Sequence, residues 1–297
     1  MTATVLGEWT GHDVGLDEVE HELSLLRSSG DGTEQRTSVM THIAWVPPPW
    51  EAQARATFGD LGEFYPSRTI LLLPRPDEPD GLDARVSMQC FPLGGGNQVC
   101  TELVELTLRG SRAEAPASVV VALLLPDLPV FLRWRGMPMF GDPVFERLAG
   151  LVDRLVVDSR EWDDGLHGAY GSLAQHFGEH LAVSDIVWAR TLPWREAIAQ
   201  AWPEIAEANE LDVSGPEADA LLLAGWLRSR LQRPVALCQR EAGEVEAVAV
   251  DGEAIVEPSS PRPSSGALLS GELDRFGRDR FYEAAVRAAA GEYVRHA

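Results

Sequence analysis

The stretch RTILLLP, residues 68–74, is a continuous apolar run of the length of a β-strand. A strand that is apolar on both sides is typical of a sheet covered on both faces, and such sheets are mostly parallel. Strand-like and helix-like segments alternate around this run. Strands are indicated by RTSVMTHIAWV, PVFLRWR and RLVVDS, and helices by EAQARATFGDLGEF, APASVVVALLL and VFERLAGLVD. The alternation predicts the α/β fold class, with a mostly parallel sheet and helices.

A hairpin is attached to this sheet. The strands ARVSMQC and CTELVELTLRG flank the loop FPLGGGNQV. A phosphate nest at the glycines would require a helix to follow, and a strand follows instead, which favours a hairpin loop. Cys90 and Cys100 lie equally far from Gly95 and would face each other in a symmetric hairpin. Since three cysteines do not form a disulfide framework, we expect two reduced thiols, with a redox pair as the alternative.

Three segments are predicted along the chain. Residues 1–35 comprise an N-terminal helix, with four aliphatic residues at helical spacing, and a linker. Residues 36–200 form the α/β domain. Residues 201–297 form a smaller α+β domain, in which the helices EADALLLAGWLRSRL and RDRFYEAAVRAAAGEYV accompany the short strands PVALCQR, EVEAVAVDG and EAIVEP.

The composition excludes several functions. The net charge is −21, and all 25 basic residues are arginine. Such a charge repels nucleic acid and anionic membranes, so we expect neither as a partner. It also repels sugar phosphates and nucleotides unless arginine is locally concentrated. Without lysine there is no P-loop lysine, Schiff base or pyridoxal-phosphate anchor, and we expect no cofactor. No window is apolar enough to span a bilayer and no signal-peptide pattern opens the chain, so we expect a cytoplasmic protein.

A first cluster of arginine and tryptophan ends an apolar strand. In LLLPDLPVFLRWRG, residues 123–136, the strand closes with Arg133, Trp134 and Arg135. Ligands and partners of an open α/β sheet gather at the carboxyl ends of its strands. The three residues are therefore either an anion or partner site, or ordinary ion pairs beside a packed indole.

A second cluster also combines arginine with tryptophan. In DIVWARTLPWRE, residues 185–196, Trp188, Arg190, Trp194 and Arg195 fall within eight positions. Tryptophan and arginine are enriched at protein–protein hot spots, and they also close packing seams between helices. Both interpretations stay open.

No catalytic constellation emerges from the sequence. HFGEH places His176, Glu179 and His180 in the order of an inverted zinc-protease motif. Gly178 weakens the helix that this motif needs, so we expect no bound metal. No G-x-S-x-G elbow and no helix-opening G-x-G-x-x-G is present. Cys238 lies in a strand-like stretch without an evident partner, which favours a core position over a nucleophile.

Five segments occur in an order that resembles the OpcA family, the glucose-6-phosphate dehydrogenase assembly proteins. They are PSRTILLLP (66–74), LLLPDLPVFLRWRG (123–136), DRLVVDSREW (153–162), DIVWARTLPWRE (185–196) and LLAGWLRSRL (222–231). The resemblance covers roughly residues 36–235. Family members often carry histidine where Tyr65 stands, and many carry a second tryptophan where Arg133 stands.

The resemblance implies a non-catalytic partner that promotes assembly or activation of glucose-6-phosphate dehydrogenase in the oxidative pentose phosphate pathway. Whether it acts on assembly or on activity stays open. Two other classes also stay open: a sugar-phosphate or nucleotide binding protein or enzyme that uses the arginine-rich strand ends, and a zinc hydrolase at His176 and His180. The candidate contacts with a partner or ligand are Ser67, Arg68, Arg133, Trp134, Arg135, Trp188, Arg190, Trp194 and Arg195.

Overall fold

The structure is a computed structural model that describes residues 4–28, 35–36, 38–61, 67–94, 97–163, 165–259 and 263–291. The chain divides into two compact units, Met1–Val156 and Val157–Ala297. From the sequence we expect the second unit to begin near residue 200. In the structure Trp194 and Ile198 already belong to the core of the second unit, so it starts earlier in the chain.

The first unit contains eight strands and five α-helices in its described part, with a 3₁₀ turn at Pro48–Trp50. In chain order they are β1 (Thr4–Gly11), α1 (Leu16–Ser28), β2 (Gln35–Arg36), β3 (Met40–Trp45), α2 (Glu51–Leu61), β4 (Ser67–Arg75), β5 (Gly81–Gly94), β6 (Asn97–Arg109), α3 (Ser111–Glu114), α4 (Pro116–Leu123), β7 (Val130–Trp134), α5 (Pro143–Ala149) and β8 (Arg154–Val157).

These strands form one sheet in the order β1-β5-β6-β4-β3-β7-β8, with β2 beside β6. The strands β6, β4, β3, β7 and β8 pair in parallel, whereas β5 pairs antiparallel with β1 and β6. This confirms the mostly parallel sheet with an attached hairpin. The central strand β4 is buried from Ser67 to Pro74, as its continuous apolar run predicts.

The N-terminal segment differs from the expected helix and linker. α1 forms and buries Val19 and Leu23 completely, but Thr4–Gly11 is a strand that pairs with β5. The first residues therefore extend the sheet. TVLGEWTG is rich in β-forming residues, but Gly7 interrupts the alternation of its side chains and Gly11 ends it. The sequence pattern therefore does not indicate a strand here. Most of the predicted linker lies outside the described residues.

The hairpin of β5 and β6 places Cys90 directly opposite Cys100. Their sulfur atoms are bonded, so the expectation of two reduced thiols is wrong. The reason is the register: a direct cross-strand pair brings the two Cα atoms to 4.1 Å, where the side chains meet. Gly95 and Gly96, the centre of the hypothetical phosphate nest, lie outside the described residues.

The second unit is the smaller α+β assembly. Its elements are α6 (Leu166–Ala174), β9 (Ala182–Asp185), α7 (Ile186–Arg190), α8 (Leu192–Gln200), β10 (Glu210–Ser214), α9 (Glu217–Leu231), β11 (Ala236–Arg240), β12 (Ala247–Val250), β13 (Glu253–Ala254), α10 (Ser265–Leu273) and α11 (Arg280–Ala289). Four strands form a sheet in the order β11-β10-β12-β13, and only β10 and β11 are parallel. In the described part of the chain, no helix has the length and apolar character needed to cross a membrane.

Two helices of this unit cross closely at a glycine. Gly225 lies in the middle of α9, and a Cβ atom there would sit 2.2 Å from the carbonyl oxygen of Ala285 in α11. Ala289 lies on the other side of the same contact, 3.0 Å from that position. The small residues allow the backbones of α9 and α11 to approach closely.

Candidate functional site

The strand end that the sequence singles out is buried. Arg133 and Trp134 are 1% exposed, and Arg135 is 5% exposed. Trp134 stacks on Trp45, its neighbour in register on β3, with ring centroids 5.1 Å apart. Its indole N–H donates to the carbonyl oxygen of Met137 at 3.3 Å. Trp134 is thus a core residue whose polar atom is satisfied locally.

Arg135 is held by the segment that begins α2. Its guanidinium carbon lies 5.0 Å from the ring centroid of Trp50, and the guanidinium donates to the side-chain oxygen of Gln53. The next residue, Gly136, has a φ of +75°, and a Cβ there would lie 3.1 Å from the Trp50 indole nitrogen. Glycine suits both the left-handed backbone and the close approach. The carboxyl end of β7 is therefore covered by its own chain.

Arg133 lies near a buried histidine. His42 is 1% exposed, and burial together with the positive charge of Arg133 lowers its pKa to about 3. The imidazole is consequently neutral across the physiological range. The Arg133 guanidinium donates to the carbonyl oxygen of Trp134. His42 and Arg133 are thus both buried within the sheet.

Arg68 ties the amino end of β4 to its surroundings. It is 1% exposed, and it donates to Glu102 at 2.7 Å, to Glu20 at 3.0 Å and to the carbonyl oxygen of Leu123 at 2.7 Å. Burial favours the neutral form of Glu102, but hydrogen bonds from Arg27 and Arg68 outweigh it and lower the pKa of this carboxyl group. The charged cluster joins α1, β4 and β6.

Ser67, the neighbour of Arg68, is buried as well. Its hydroxyl lies 3.3 Å from the hydroxyl of Thr69. Tyr65, one of the two positions where the sequence departs from the OpcA pattern, lies outside the described residues.

In the second unit, Trp188 and Arg195 form a stacked pair. The Arg195 guanidinium carbon lies 3.2 Å from the ring centroid of Trp188. An N–H group of the same guanidinium donates to the Trp188 carbonyl oxygen. Burial lowers the pKa of Arg195 to about 10, so it remains a cation at neutral pH. The Trp188 indole N–H donates to Asp279 at 2.8 Å, and Asp279 also caps α11 by accepting from Phe281 and Tyr282. One carboxylate thus orients the indole and the helix together.

The other two residues of this cluster have structural partners. Trp194 is 7% exposed and packs in the core of the second unit. Arg190 pairs with Asp158 at 3.1 Å. Of the nine predicted contact residues, eight are buried, and Arg190 is partly exposed. Contact of these residues with a partner stays a prediction, and burial makes a direct surface contact unfavourable for eight of them.

A partly buried ion-pair network, which the sequence does not predict, joins Arg160, Asp219 and Glu244. Arg160 donates to both oxygens of Asp219 at 2.6 Å and to both oxygens of Glu244 at 2.8 and 2.9 Å. Burial disfavours the cation, but these bonds outweigh it and raise the pKa of Arg160. Through two bidentate ion pairs, Arg160 connects Asp219 of α9 with Glu244 within the second unit.

One open groove of this unit is rich in arginine. A groove of about 1000 Å³ is lined by Arg195, Arg230, Arg275, Arg278 and Arg280, with Asp279 as its acidic member. We call it the arginine groove. Its apolar lining comes from Trp188, Leu192, Trp226 and Phe281. A chain of net charge −21 therefore concentrates a fifth of its arginines in one groove beside exposed apolar side chains.

The sequence patterns indicate only part of this groove. They mark Trp188 and Arg195 as candidate contacts, but not Arg230, Arg280 or Phe281. The sequence feature that could have indicated the rest is the basic and aromatic run RFGRDRF at 275–281. Its position beside α7 and α8 depends on how α9 and α11 cross.

The zinc hypothesis does not gain support from the local structure. α6 ends at Ala174, and residues 175–180 form turns and bends, so His176 and His180 do not share a helical face. The His176 ring lies 3.1 Å from the carbonyl oxygen of Ser172. Among the described residues, the groups of three side chains placed to hold a metal, His12–Asp13–Asp83 and Glu210–Asp212–Cys238, include neither histidine.

The expected core position of Cys238 is wrong. The residue is exposed, because it lies on the same face of β11 as the exposed residues Ala236 and Arg240. A hydrogen bond with Glu210 raises the pKa of its thiol, which lowers the fraction of thiolate.

The fold and the groove together define a class: a two-unit α/β protein whose second unit carries an arginine-rich, partly apolar groove. A family model described as the glucose-6-phosphate dehydrogenase subunit N-terminal domain matches residues 59–171, and the corresponding C-terminal domain matches residues 181–286. The two matches follow each other in chain order and together cover well over half of the chain. The chain belongs to the OpcA family, which confirms the resemblance.

Relatives carry the same family name. The chain is 31% identical over 179 residues to the putative OxPP cycle protein OpcA of Synechocystis sp., covering 56% of this chain and 37% of that protein. It is 30% identical over 193 residues to the putative OxPP cycle protein OpcA of Nostoc punctiforme, covering 61% of this chain and 41% of that protein. The matched stretch spans about two fifths of the length of these relatives.

Proposed function

We propose that this protein is a non-catalytic, cytoplasmic partner of glucose-6-phosphate dehydrogenase that promotes the assembly or activation of that enzyme in the oxidative pentose phosphate pathway. The observation that carries the proposal is the match of both domain models, in order, along residues 59–286.

Two physical routes would give such an effect. A protein that binds the native oligomer of the enzyme, but not its separate subunits, shifts assembly by mass action. A protein that binds one conformer of the assembled enzyme more tightly shifts activity instead. The two routes differ in whether the oligomer distribution changes.

The test is a titration of this protein into purified glucose-6-phosphate dehydrogenase from the same organism. Mass photometry reports the oligomers, and the NADPH absorbance reports activity. We expect a complex at micromolar concentration with a gain in oligomer fraction or in activity, and no activity from this protein alone. Absence of a complex at that concentration would overturn the proposal.

The arginine groove favours one second candidate, a protein that binds sugar phosphates or nucleotides. Arginine forks suit phosphate groups, and local concentration of arginine overcomes the acidic net charge. Thermal-shift measurements with glucose 6-phosphate, 6-phosphogluconate and NADP separate the candidates. A saturable stabilisation by one of these compounds, without any binding to the dehydrogenase, would favour this second function.

A further inference from the structure

We propose that the arginine groove is the docking site for an acidic segment of the partner protein, one that carries an apolar side chain among its carboxylates. The inference rests on the proposed function and adds to it the surface used and the chemistry of the segment. It depends on the charge of the groove, the availability of its arginines and its apolar lining.

Charge selects the kind of segment. The protein as a whole repels anions, with 46 acidic residues against 25 arginines. The arginine groove reverses this locally, since five arginines and one aspartate line it. Complementary charge at an interface orients the partner and suppresses wrong registers. An acidic segment is attracted to the groove and repelled by most of the remaining surface.

Two of the arginines are available for new ion pairs. Arg278 is already held by Glu283 through bonds of 2.7 and 2.6 Å, and Arg275 pairs with Glu272 at 3.3 Å. Arg230 and Arg280 are exposed, and within the described residues no carboxylate pairs with either of them. The Arg230 guanidinium carbon lies 4.8 Å from the ring centroid of Phe281, so the charge and the exposed ring are neighbours in the groove.

The apolar part of the groove supplies an anchor position. Phe281 is 56% exposed and Leu192 is 40% exposed, although both are large apolar residues. Trp188 also lines the groove, and Asp279 and the stacked Arg195 hold it in place. Because this part of the groove is already immobilised, it loses little entropy when a partner binds. Arginine and aromatic residues in such a setting are typical of hot spots.

Size favours a peptide segment over a small anion. The groove measures about 1000 Å³, the upper end for small-molecule sites, and its arginines come from three separate parts of the chain. A phosphate or a sugar phosphate would engage one or two guanidinium groups and leave Phe281 exposed. A segment with several carboxylates and one apolar side chain engages the whole surface.

The test compares three variants of the full chain with wild type. Arg230→Glu/Arg280→Glu reverses the two available charges, and Phe281→Ala removes the exposed ring. Arg240→Glu is the matched control, because Arg240 is exposed on the edge strand β11 of the same unit and outside the groove. Circular dichroism melting shows that each variant is folded. Affinity for purified glucose-6-phosphate dehydrogenase is measured by titration calorimetry at 0.15 M salt.

We expect the double charge reversal to weaken binding more than tenfold, Phe281→Ala to weaken it about tenfold, and Arg240→Glu to change it less than twofold. If wild type binds and the groove variants bind as tightly as the control, the groove assignment is wrong while the proposed function stands. If wild type itself does not bind, the proposed function fails first. If glucose 6-phosphate stabilises wild type but not the double variant, and dehydrogenase binding is equal in both, the groove is a small-anion site and the proposal is overturned.

Discussion

Arginine is the cation used throughout this chain, including its interior. Arg68, Arg133, Arg135, Arg154 and Arg195 are each less than a tenth exposed. A planar guanidinium is weakly hydrated, stacks on aromatic rings and donates along several directions, so it tolerates burial better than an ammonium group would. The arginines that flank Trp134 are therefore explained by packing and hydrogen bonding within the first unit.

This burial changes the expected effect of replacing Arg135. A strand-end arginine at the surface would contribute little to stability, whereas Arg135 stacks on Trp50 and donates to Gln53. We expect Arg135→Ala to lower the free energy of unfolding by about 2 kcal/mol, from a lost charged hydrogen bond and a lost cation–π contact. Arg147→Ala, at an exposed position of α5, should change it by less than about 0.5 kcal/mol. Urea denaturation measures both, and equal values would show that Arg135 is dispensable for the fold.

Asp185 predicts a pH dependence of stability. It is fully buried and accepts from the backbone N–H groups of Ser159 and Val187, and burial together with the nearby Asp158 raises its pKa to about 7. Tyr170 and Tyr282 also face it. Because the carboxyl titrates near 3.8 when unfolded, the native state binds more protons between about pH 4 and 7. Its contribution to stability is complete below that window and is lost as the pH rises through 7.

The substitution Asp185→Asn tests whether the Asp185 carboxyl group lowers stability as the pH rises. Asparagine keeps an oxygen that accepts the two backbone hydrogen bonds and removes the buried charge. We expect the variant to be more stable than wild type at pH 8, by on the order of 2–4 kcal/mol, with a difference that shrinks toward pH 4. The opposing effect of His42, which favours neutral pH, is common to both proteins and cancels in the comparison. A pH-independent difference in urea denaturation would refute the assignment.

At the scale of elements, the crossing of α9 and α11 depends on Gly225. A methyl group there meets the Ala285 carbonyl oxygen at 2.2 Å, so the helices must separate. We expect Gly225→Ala to destabilise the protein by about 1–3 kcal/mol despite the better helix propensity of alanine. Gly271→Ala in α10 is the control, because nothing lies within 4 Å of its Cβ position, and a gain of up to about 1 kcal/mol is expected. Thermal unfolding that ranks the two variants in the opposite order would contradict the crossing.

The hairpin gives a second prediction at this scale. The bond between Cys90 and Cys100 closes the end of β5 and β6, and Cys238 remains a thiol. Mass spectrometry of alkylated, unreduced protein should find one modified cysteine. Reduction should lower the free energy of unfolding by about 2–3 kcal/mol, from the loop entropy released in the unfolded chain. The double variant Cys90→Ser/Cys100→Ser should be insensitive to reductant, and wild type that is equally insensitive would show that the bridge contributes nothing.

The elements that could be predicted are those with an unbroken local pattern. The run 68–74 forms a buried strand, and EADALLLAGWLRSRL forms a helix with the predicted bounds Glu217–Leu231. β1 was missed because Gly7 and Gly11 interrupt its pattern and because its pairing partner β5 is distant in sequence. α10 was missed because its cap, Ser264, falls in a serine- and proline-rich stretch typical of a loop.

The site was less predictable than the fold for a related reason. The sequence marks arginine and tryptophan as recognition residues, yet the same chemistry suits buried stacking, and only the packed structure separates the two uses. The arginine groove draws on residues 188–195, 226–230 and 275–281, which no spacing rule connects. Hydrophobic periodicity relates residues within one element, so it cannot predict a surface that forms only where helices cross.

At the scale of the whole molecule, the acidic surface is a source of self-repulsion. A net charge of −21 on 297 residues raises the free energy of the compact state relative to the expanded chain. The strongest ion pairs described above are short and at least partly buried, so salt screens them weakly. Repulsion among exposed carboxylates acts over longer distances, beyond the Debye length of about 8–10 Å at physiological salt.

Added sodium chloride should therefore stabilise this protein at neutral pH. We expect the melting temperature at pH 7.5 to rise by several degrees between about 10 and 150 mM salt, since a gain on the order of 1–2 kcal/mol has that effect in a protein of this size. Chloride is chosen because sulfate stabilises by exclusion from the surface regardless of charge. The control is the same titration near pH 4.7, the isoelectric point, where the net charge vanishes and the salt effect should disappear. A melting temperature that falls with salt at pH 7.5 would mean that exposed ion pairs outweigh the repulsion, and an equal rise at both pH values would mean that the stabilisation does not come from charge.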